Sequence, residues 1–466
     1  MRTKRIGPTG LLLAGLLAGN PAAATGAVDG KYAVKAGSVH TMTGEAIENG
    51  VIVMEGGRVT AVGGVEDVQI PWDAVVLDVP ELVAMPGWVE AHTYRGMDRP
   101  NETIDVAPFL DIRDSLDPVA FFFEDCLRSG ITTINVQQGN STVIAGMGMV
   151  VRPRGMTVEE MQVRPRSGLK ISAAPKSGKS RATQAQELRE AFADLRRHLE
   201  QLVQEKRDGS DRARREALYQ GRDLSGERGE GRAMTGRAWT VEGLELVPRG
   251  EIDEKQEPLL DVVEGNVPVY FWCAAPMDVE LALEIAEDNG FLHRTTLVLD
   301  DSCWKAADAI AAAGVPVVLG PDLVHRERDP VTEKEVETFV PEVFHDKGIT
   351  FALSSRNSTN ESLWFQVASC IAHGLERDVA LAAATTVPAR MLDLEGRVGE
   401  LSAGADANVV LYSGDPLSIT SFVEYVVVDG ELAYDRSKDV RLRHLLEGEQ
   451  PADTTESTAA GAGDGR

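Results

Sequence analysis

The sequence predicts an α/β fold, with strands and helices alternating around a parallel sheet or barrel and a small β module built from both chain ends. Three observations predict it. Between about residues 82 and 396, short β-branched runs alternate with runs of helical period. Ahead of them lie short strands separated by glycine turns, and behind them strands return around an Asp-Gly pair. The 466 residues are 43% hydrophobic and 26% charged, the balance of a globular chain whose core needs no disulfide or metal staple.

Taken in order, residues 1–27 read as a secretory signal. Arg2, Lys4 and Arg5 form a positive n-region, 11–19 is an apolar stretch too short to span a bilayer, and 20–27 offers small residues for cleavage. An exported protein, periplasmic or secreted, is therefore expected. Residues 28–81 supply strands at 32–39, 50–55, 58–62 and 74–77, with Glu55-Gly56-Gly57-Arg58 as a hairpin turn. Their partners are expected at 397–436, where strands 407–412, 422–428 and 431–433 close around Asp429-Gly430, so that both ends build one composite β-sandwich. Residues 82–396 form the alternating unit. Its strands fall at 131–136, 149–151, 169–172, 267–272, 295–299, 315–319 and 349–353, and its helices at 119–128, 279–287, 303–312, 361–373 and 378–384. Gly290, Gly314 and Gly374 stand where helices end on a left-handed residue. Residues 176–258 interrupt the pattern with a long charged helix at 184–207 and a Gly/Arg/acidic stretch, and read as a surface insertion. Residues 447–466 have the composition of a disordered tail.

The formal charge of −26, about −29 once the signal is removed, repels phosphate backbones and anionic lipid, so neither nucleic acid nor a membrane is an expected partner. Cys126, Cys273, Cys303 and Cys370 form no CxxC and lie in apolar segments, as buried free thiols do, although export would permit a disulfide. Ala173-Ala174-Pro175-Lys176-Ser177-Gly178-Lys179-Ser180 fits a relaxed phosphate-loop pattern between a strand and a helix. In that reading Lys179 would reach phosphate oxygens and Ser180 a Mg²⁺. Ala173 stands where the loop needs glycine, which favours a solvated Ser/Lys loop. The segment 137–151 (QQGNSTVIAGMGMVV) is a glycine-bearing loop that either shapes a ligand pocket or only turns the chain.

Three stretches carry a family resemblance: AMPGWVEAHT at 84–93, AGVPVVLGP at 313–321, and TTVPARMLDLEGRVGELSAGADANVVLYSGDPL at 385–417. Over residues 31–436 the chain resembles the metal-dependent amidohydrolase superfamily, in its imidazolonepropionase-like and prolidase-like branches. The resemblance implies a (β/α)8 TIM-like barrel with a composite β-sandwich. It also implies divalent metal, Zn²⁺ or similar, at the C-terminal strand ends, with an Asp as general base.

Checked position by position, the implied ligands are mostly replaced. The His-x-His of the first strand reads His92-Thr93-Tyr94. The fifth-strand histidine falls on Trp272, with Ala274 two residues on, and the sixth-strand histidine on Leu299. The catalytic Asp falls on Arg356, which neither accepts a proton nor binds a cation. His92 is the one retained ligand, so the site is expected to be degenerate and no metal or other cofactor is predicted. Nearby Asp300, Asp301 and Asp322 read as helix caps or ion-pair partners, Asp301 as the N-cap of 303–312. His325 and His345 read as solvated loop residues.

These observations support three functions. The first is a catalytically impaired relative, a pseudoenzyme whose remnant pocket of His92, Tyr94, Trp272 and Arg356 takes a small molecule or peptide. Such a chain would act alone, as a homo-oligomer, or with an active amidohydrolase paralogue. The second is an active hydrolase of C–N bonds in cyclic amides, imidazolones or dipeptides, using Zn²⁺ in a rearranged site. The third is a P-loop nucleotide-binding module. Enzymatic status therefore stays open at this level.

Overall fold

A computed structural model describes residues 30–219, 241, 243–244, 247–356 and 363–447. The expected signal, 1–27, lies outside the described residues, and so does the expected tail apart from Glu447.

The chain opens with β1 (Lys31–Val39), β2 (Ile47–Glu55), β3 (Arg58–Gly64) and β4 (Val75–Pro86). The turn between β2 and β3 uses Gly56 at φ 58° and Gly57 at φ 75°, the left-handed pair that a tight hairpin requires. β4 runs on past the expected 74–77 to Pro86, and after Gly87 the chain continues as β5 (Trp88–Thr93). It proceeds through α1 (Phe121–Arg128), β6 (Ile131–Val136), β7 (Ile144–Met147), β8 (Met149–Val151), α2 (Val158–Met161), β9 (Gln162–Arg164), β10 (Leu169–Ser172) and α3 (Arg181–Tyr219). Next come α4 (Glu257–Val263), β11 (Val269–Cys273), α5 (Pro276–Asp288), β12 (Thr295–Leu299), α6 (Ala307–Ala313), β13 (Val317–Leu319), β14 (Val324–Arg328) and β15 (Glu335–Phe339). The last part holds α7 (Val340–Asp346), β16 (Phe351–Leu353), α8 (Leu363–Ala372), α9 (Arg377–Ala382), α10 (Thr386–Met391), β17 (Val409–Tyr412), β18 (Val423–Val428), β19 (Glu431–Asp435) and α11 (Val440–Glu447).

The barrel bears out the α/β expectation. Strands β10, β11, β12, β13 and β16 pair in parallel, as do β5 and β6, and a bridge from Thr93 to Arg356 joins β16 back to β5. One strand departs from strict alternation. β8 pairs antiparallel with β6, and β7 pairs antiparallel with β10, so 144–151 runs as an antiparallel third strand. The cause is loop length. The stretch 137–143 is shorter than the dozen or so residues a parallel crossover needs. Within the glycine-bearing segment 137–151, the loop is confined to 137–143, and strand occupies 144–147 and 149–151.

Inside the ring Val89, Tyr270, Trp272, Val298, Val318 and Ala352 pack together, and Leu392, Leu394 and Val398 close its floor. Outside it, helices bury their apolar faces against the strands. Here α3 corrects the reading of 176–258 as a surface insertion. Leu188, Phe192, Leu195, Leu199 and Val203 are buried in the main core, and Phe192 stacks on Phe291 at 5.5 Å. Each such side chain contributes roughly 1.5–3 kcal/mol of burial, so the first half of this segment belongs to the barrel's helical layer. Residues 220–240 lie outside the described residues.

The β module bears out the expected pairing of the two chain ends. Both chain ends contribute as expected, and their strands hydrogen-bond into one seven-stranded mixed sheet, ordered β19-β18-β17-β4-β1-β2-β3. The Asp429-Gly430 turn has φ values of 51° and 75°. Gly290, Gly314 and Gly374 all have positive φ at helix ends, as expected. Among the described residues no helix is long and apolar enough to cross a membrane.

Candidate functional site at the barrel centre

Four elements bring polar and aromatic side chains to the C-terminal ends of the barrel strands. His92 closes β5, Lys170 sits in β10, Trp272 in β11, and Arg356 follows β16. All four are buried, His92 and Lys170 completely. Lys170 Nζ lies 2.7 Å from His92 Nε2. A hydrogen bond there needs an unprotonated imidazole nitrogen or an unprotonated amine, and the surroundings favour both. Burial first, then the charge of Lys170 and Arg356, holds His92 well below the usual histidine range. Burial first, then Arg356, holds the Lys170 amine well below the usual lysine range.

Arg356 is fixed from several sides. Its backbone has φ 55°, uncommon for a residue with a side chain. Its carbonyl accepts a 2.5 Å bond from Thr93 Oγ1, and its N–H donates to Ser354 Oγ at 3.0 Å. Its guanidinium donates to Leu299 O at 2.7 Å and to Asp300 at 3.2 Å, and lies 4.7 Å from the centroid of the Trp272 ring. A Cβ on Gly320 would stand 2.0 Å from the Arg356 Nη2, so the glycine after β13 leaves the space that the guanidinium fills. Tyr94 is half-buried, and its hydroxyl is raised by burial and lowered by Arg356, which places it in the same field. The expected cluster of His92, Tyr94, Trp272 and Arg356 thus sits around one centre, with Leu299 and Asp300 at its edge.

Two members escape the sequence reading. Lys170 is one, and its signal is a charged residue inside a strand buried along its whole length. The second is Glu90, fully buried two residues before His92. Its Oε1 accepts from Ser355 N and His92 N, yet burial pushes the carboxyl up to about 7. A buried carboxyl in a first barrel strand is the signal that could have found it.

The other candidates divide. Asp301 is not the expected N-cap. It stands in the first turn of a 3-10 helix whose cap is Asp300, and its side chain accepts from Ser302 N and meets His325 Nδ1 at 2.9 Å. His325 is correspondingly not a solvated residue, because its side chain is only 13% exposed. Asp322 and His345 are exposed. All four cysteines are buried and free, as expected.

The phosphate-loop reading is overturned. Lys176 Nζ is 2.8 Å from Asp105, and Lys179 Nζ is bonded to Asp105 at 2.6 Å and to Glu187. Both lysines are thus already paired with carboxylates, and the loop follows a strand of a barrel. Its lysines clamp it to the 102–105 segment and to α3.

Among the described residues no three His, Cys, Asp or Glu side chains lie together in a way that could hold one ion. Comparison with known proteins then gives four likenesses. The model described as "Amidohydrolase family" matches residues 294–434. The amidohydrolase tasK of Hapsidospora irregularis is 23% identical over 425 residues, across 83% of this chain; the chain spans about 40% of that relative's length. The crystal structure of an amidohydrolase from Thermotoga maritima MSB8 aligns with TM-score 0.68 and 24% identity, covering 87% of this chain and 100% of that one. A putative prolidase from Bifidobacterium longum aligns at 17% identity and TM-score 0.48, over 90% and 98% of the two chains, too distant to assign a branch.

Proposed function

We propose that this chain is a member of the amidohydrolase superfamily, as the family match, the 23% identical relative and the shared fold support, and that within it the protein is an exported, metal-independent member that binds a small molecule or peptide over the barrel centre. The export part rests on the signal-like character of residues 1–27. The observation that carries the reading is Arg356. A permanent cation, seated on Trp272 and bonded to Leu299 O and Asp300, occupies the strand end where the resemblance implies the catalytic Asp. The remaining donors do not fit a divalent ion. His92 and Lys170 supply two nitrogens 2.7 Å apart, the Glu90 carboxyl is turned onto Ser355 N and His92 N and Asp300 onto Arg356, and among the described residues no three possible ligands converge, whereas catalytic zinc sites use three protein ligands. Trp272 and Leu299 supply no donor, and Arg356 adds like charge. No hydrolytic step through a metal follows from this set. What the set can do is dock an anionic or polar group against a guanidinium and an aromatic face.

Protein purified without chelator and analysed by inductively coupled plasma mass spectrometry is expected to carry far less than one equivalent of Zn, Fe or Mn. Near-stoichiometric metal, lost in His92→Ala, would overturn the proposal and restore the hydrolase reading.

A further inference from the structure

The opposite end of the barrel holds a cavity that this reading does not use. It lies where β11, β12, β13 and β16 begin, has a volume of about 350 Å³, and is roofed in part by α10. That is the low end of the range for small-ligand sites. Its lining is basic. Arg294, Lys347, Arg390 and His293 face it, against a single carboxylate, Asp393.

The ion pairs leave this excess in place. Asp393 is shared between Arg294 at 3.0 Å and Arg164 at 2.8 Å, and its carboxyl is held below the usual range, with their hydrogen bonds and charges outweighing its partial burial. Among the described residues Arg390 pairs only with Glu395, both more than 60% exposed, and Lys347 only with Asp308, 92% exposed. Exposed pairs of this kind are weak and easily exchanged. Arg294 Nε is buried without a hydrogen-bond partner among the described residues. Such a local reversal of sign stands out in a chain of net charge −26, whose overall field disfavours anions.

We propose that this cavity binds a small multivalent oxyanion, a phosphate or a polycarboxylate, held by Arg294, Lys347 and Arg390. Bound there, the anion would tie α10 to the loops before β12 and β16 at the barrel floor. The site is separate from His92 and Arg356, and does not depend on whether the barrel centre holds metal.

Isothermal titration of the full-length protein with inorganic phosphate and with citrate tests it, each against NaCl at matched ionic strength. Saturable binding of at least one anion is expected, weakened about tenfold or more in Lys347→Ala/Arg390→Ala. Arg326→Ala, an exposed arginine elsewhere, serves as control and is expected to bind as the wild type does. Binding of phosphate alone, or citrate alone, identifies which chemistry the site prefers. Three results would overturn the proposal: no saturable binding of either anion, binding unchanged in the double variant, or an equal loss in Arg326→Ala.

Discussion

Gly87→Ala is expected to destabilise the protein by about 3 kcal/mol or to prevent its folding. A Cβ at this position would stand 2.1 Å from Thr132 Oγ1, 2.2 Å from its Cγ2 and 2.6 Å from its Cβ. Thr132 cannot yield, because it is 1% exposed and lies in β6, within the barrel wall. The glycine itself is pinned. Its N–H donates to Asn408 O at 3.3 Å, and the next residue donates to Gly130 O at 2.9 Å. This is the joint where β4 of the mixed sheet becomes β5 of the barrel, so a shift there propagates to Glu90 and His92. Urea unfolding measures the loss. Thr132→Gly in the same chain removes every clashing atom, so the double variant should recover stability beyond the sum of the single effects. Additive losses would show that the close approach is not the cause.

The same joint shows how far the sequence can be read. The Pro-Gly before Trp88 marks the entry into the barrel, and both hairpins are legible because Gly57 and Gly430 sit where only a left-handed turn closes the strands. Strand–helix alternation is equally legible, since β-branched runs and helical period are local signals. What depends on pairing is not local. Whether the two ends form one sheet or two is set by β4 lying between β1 and β17. The direction of 144–151 follows from a loop too short to cross over. The apolar face of α3 is masked by its charge, because the buried leucines are spaced among Arg, Glu and Asp.

The site divides along the same line. Positions tied to strand ends, His92, Trp272 and Arg356, are found by counting along a recognisable pattern. Lys170 and Glu90 are not, because a charged residue in a short strand reads as exposed until the barrel closes around it. Their burial also reverses an intuition about charge. The chain carries 73 acidic residues against 47 basic ones, yet the barrel centre gathers Lys170 and Arg356.

Glu90 makes that burial measurable. Glu90→Gln is expected to raise stability above pH 7 and to leave it little changed below pH 4.5. The carboxyl is fully buried, with no cation bonded to it among the described residues, and desolvation raises it to about 7 against hydrogen bonds that pull the other way. A raised acid favours folding while it is protonated. Its contribution is complete below the unfolded value of about 4.5, declines as pH rises, and is lost above about 7. The loss is about 1.4 kcal/mol per pH unit within that window, on the order of 3 kcal/mol in all. His92 and Lys170 are depressed and act in the opposite sense, losing their contribution as pH falls. The wild-type curve is therefore a composite, and the quantity to follow is the difference between variant and wild type. With its amide oxygen at the Oε1 position, glutamine keeps an acceptor for both Ser355 N and His92 N, and loses only the second bond from Ser355 N, which Oε2 accepts at 3.0 Å. Chemical denaturation between pH 4 and 8.5 should show the difference growing with pH and levelling off near 7. A difference independent of pH would mean that Glu90 stays ionised in the folded protein, held by a cation at the barrel centre, and would argue against the metal-free reading of the site.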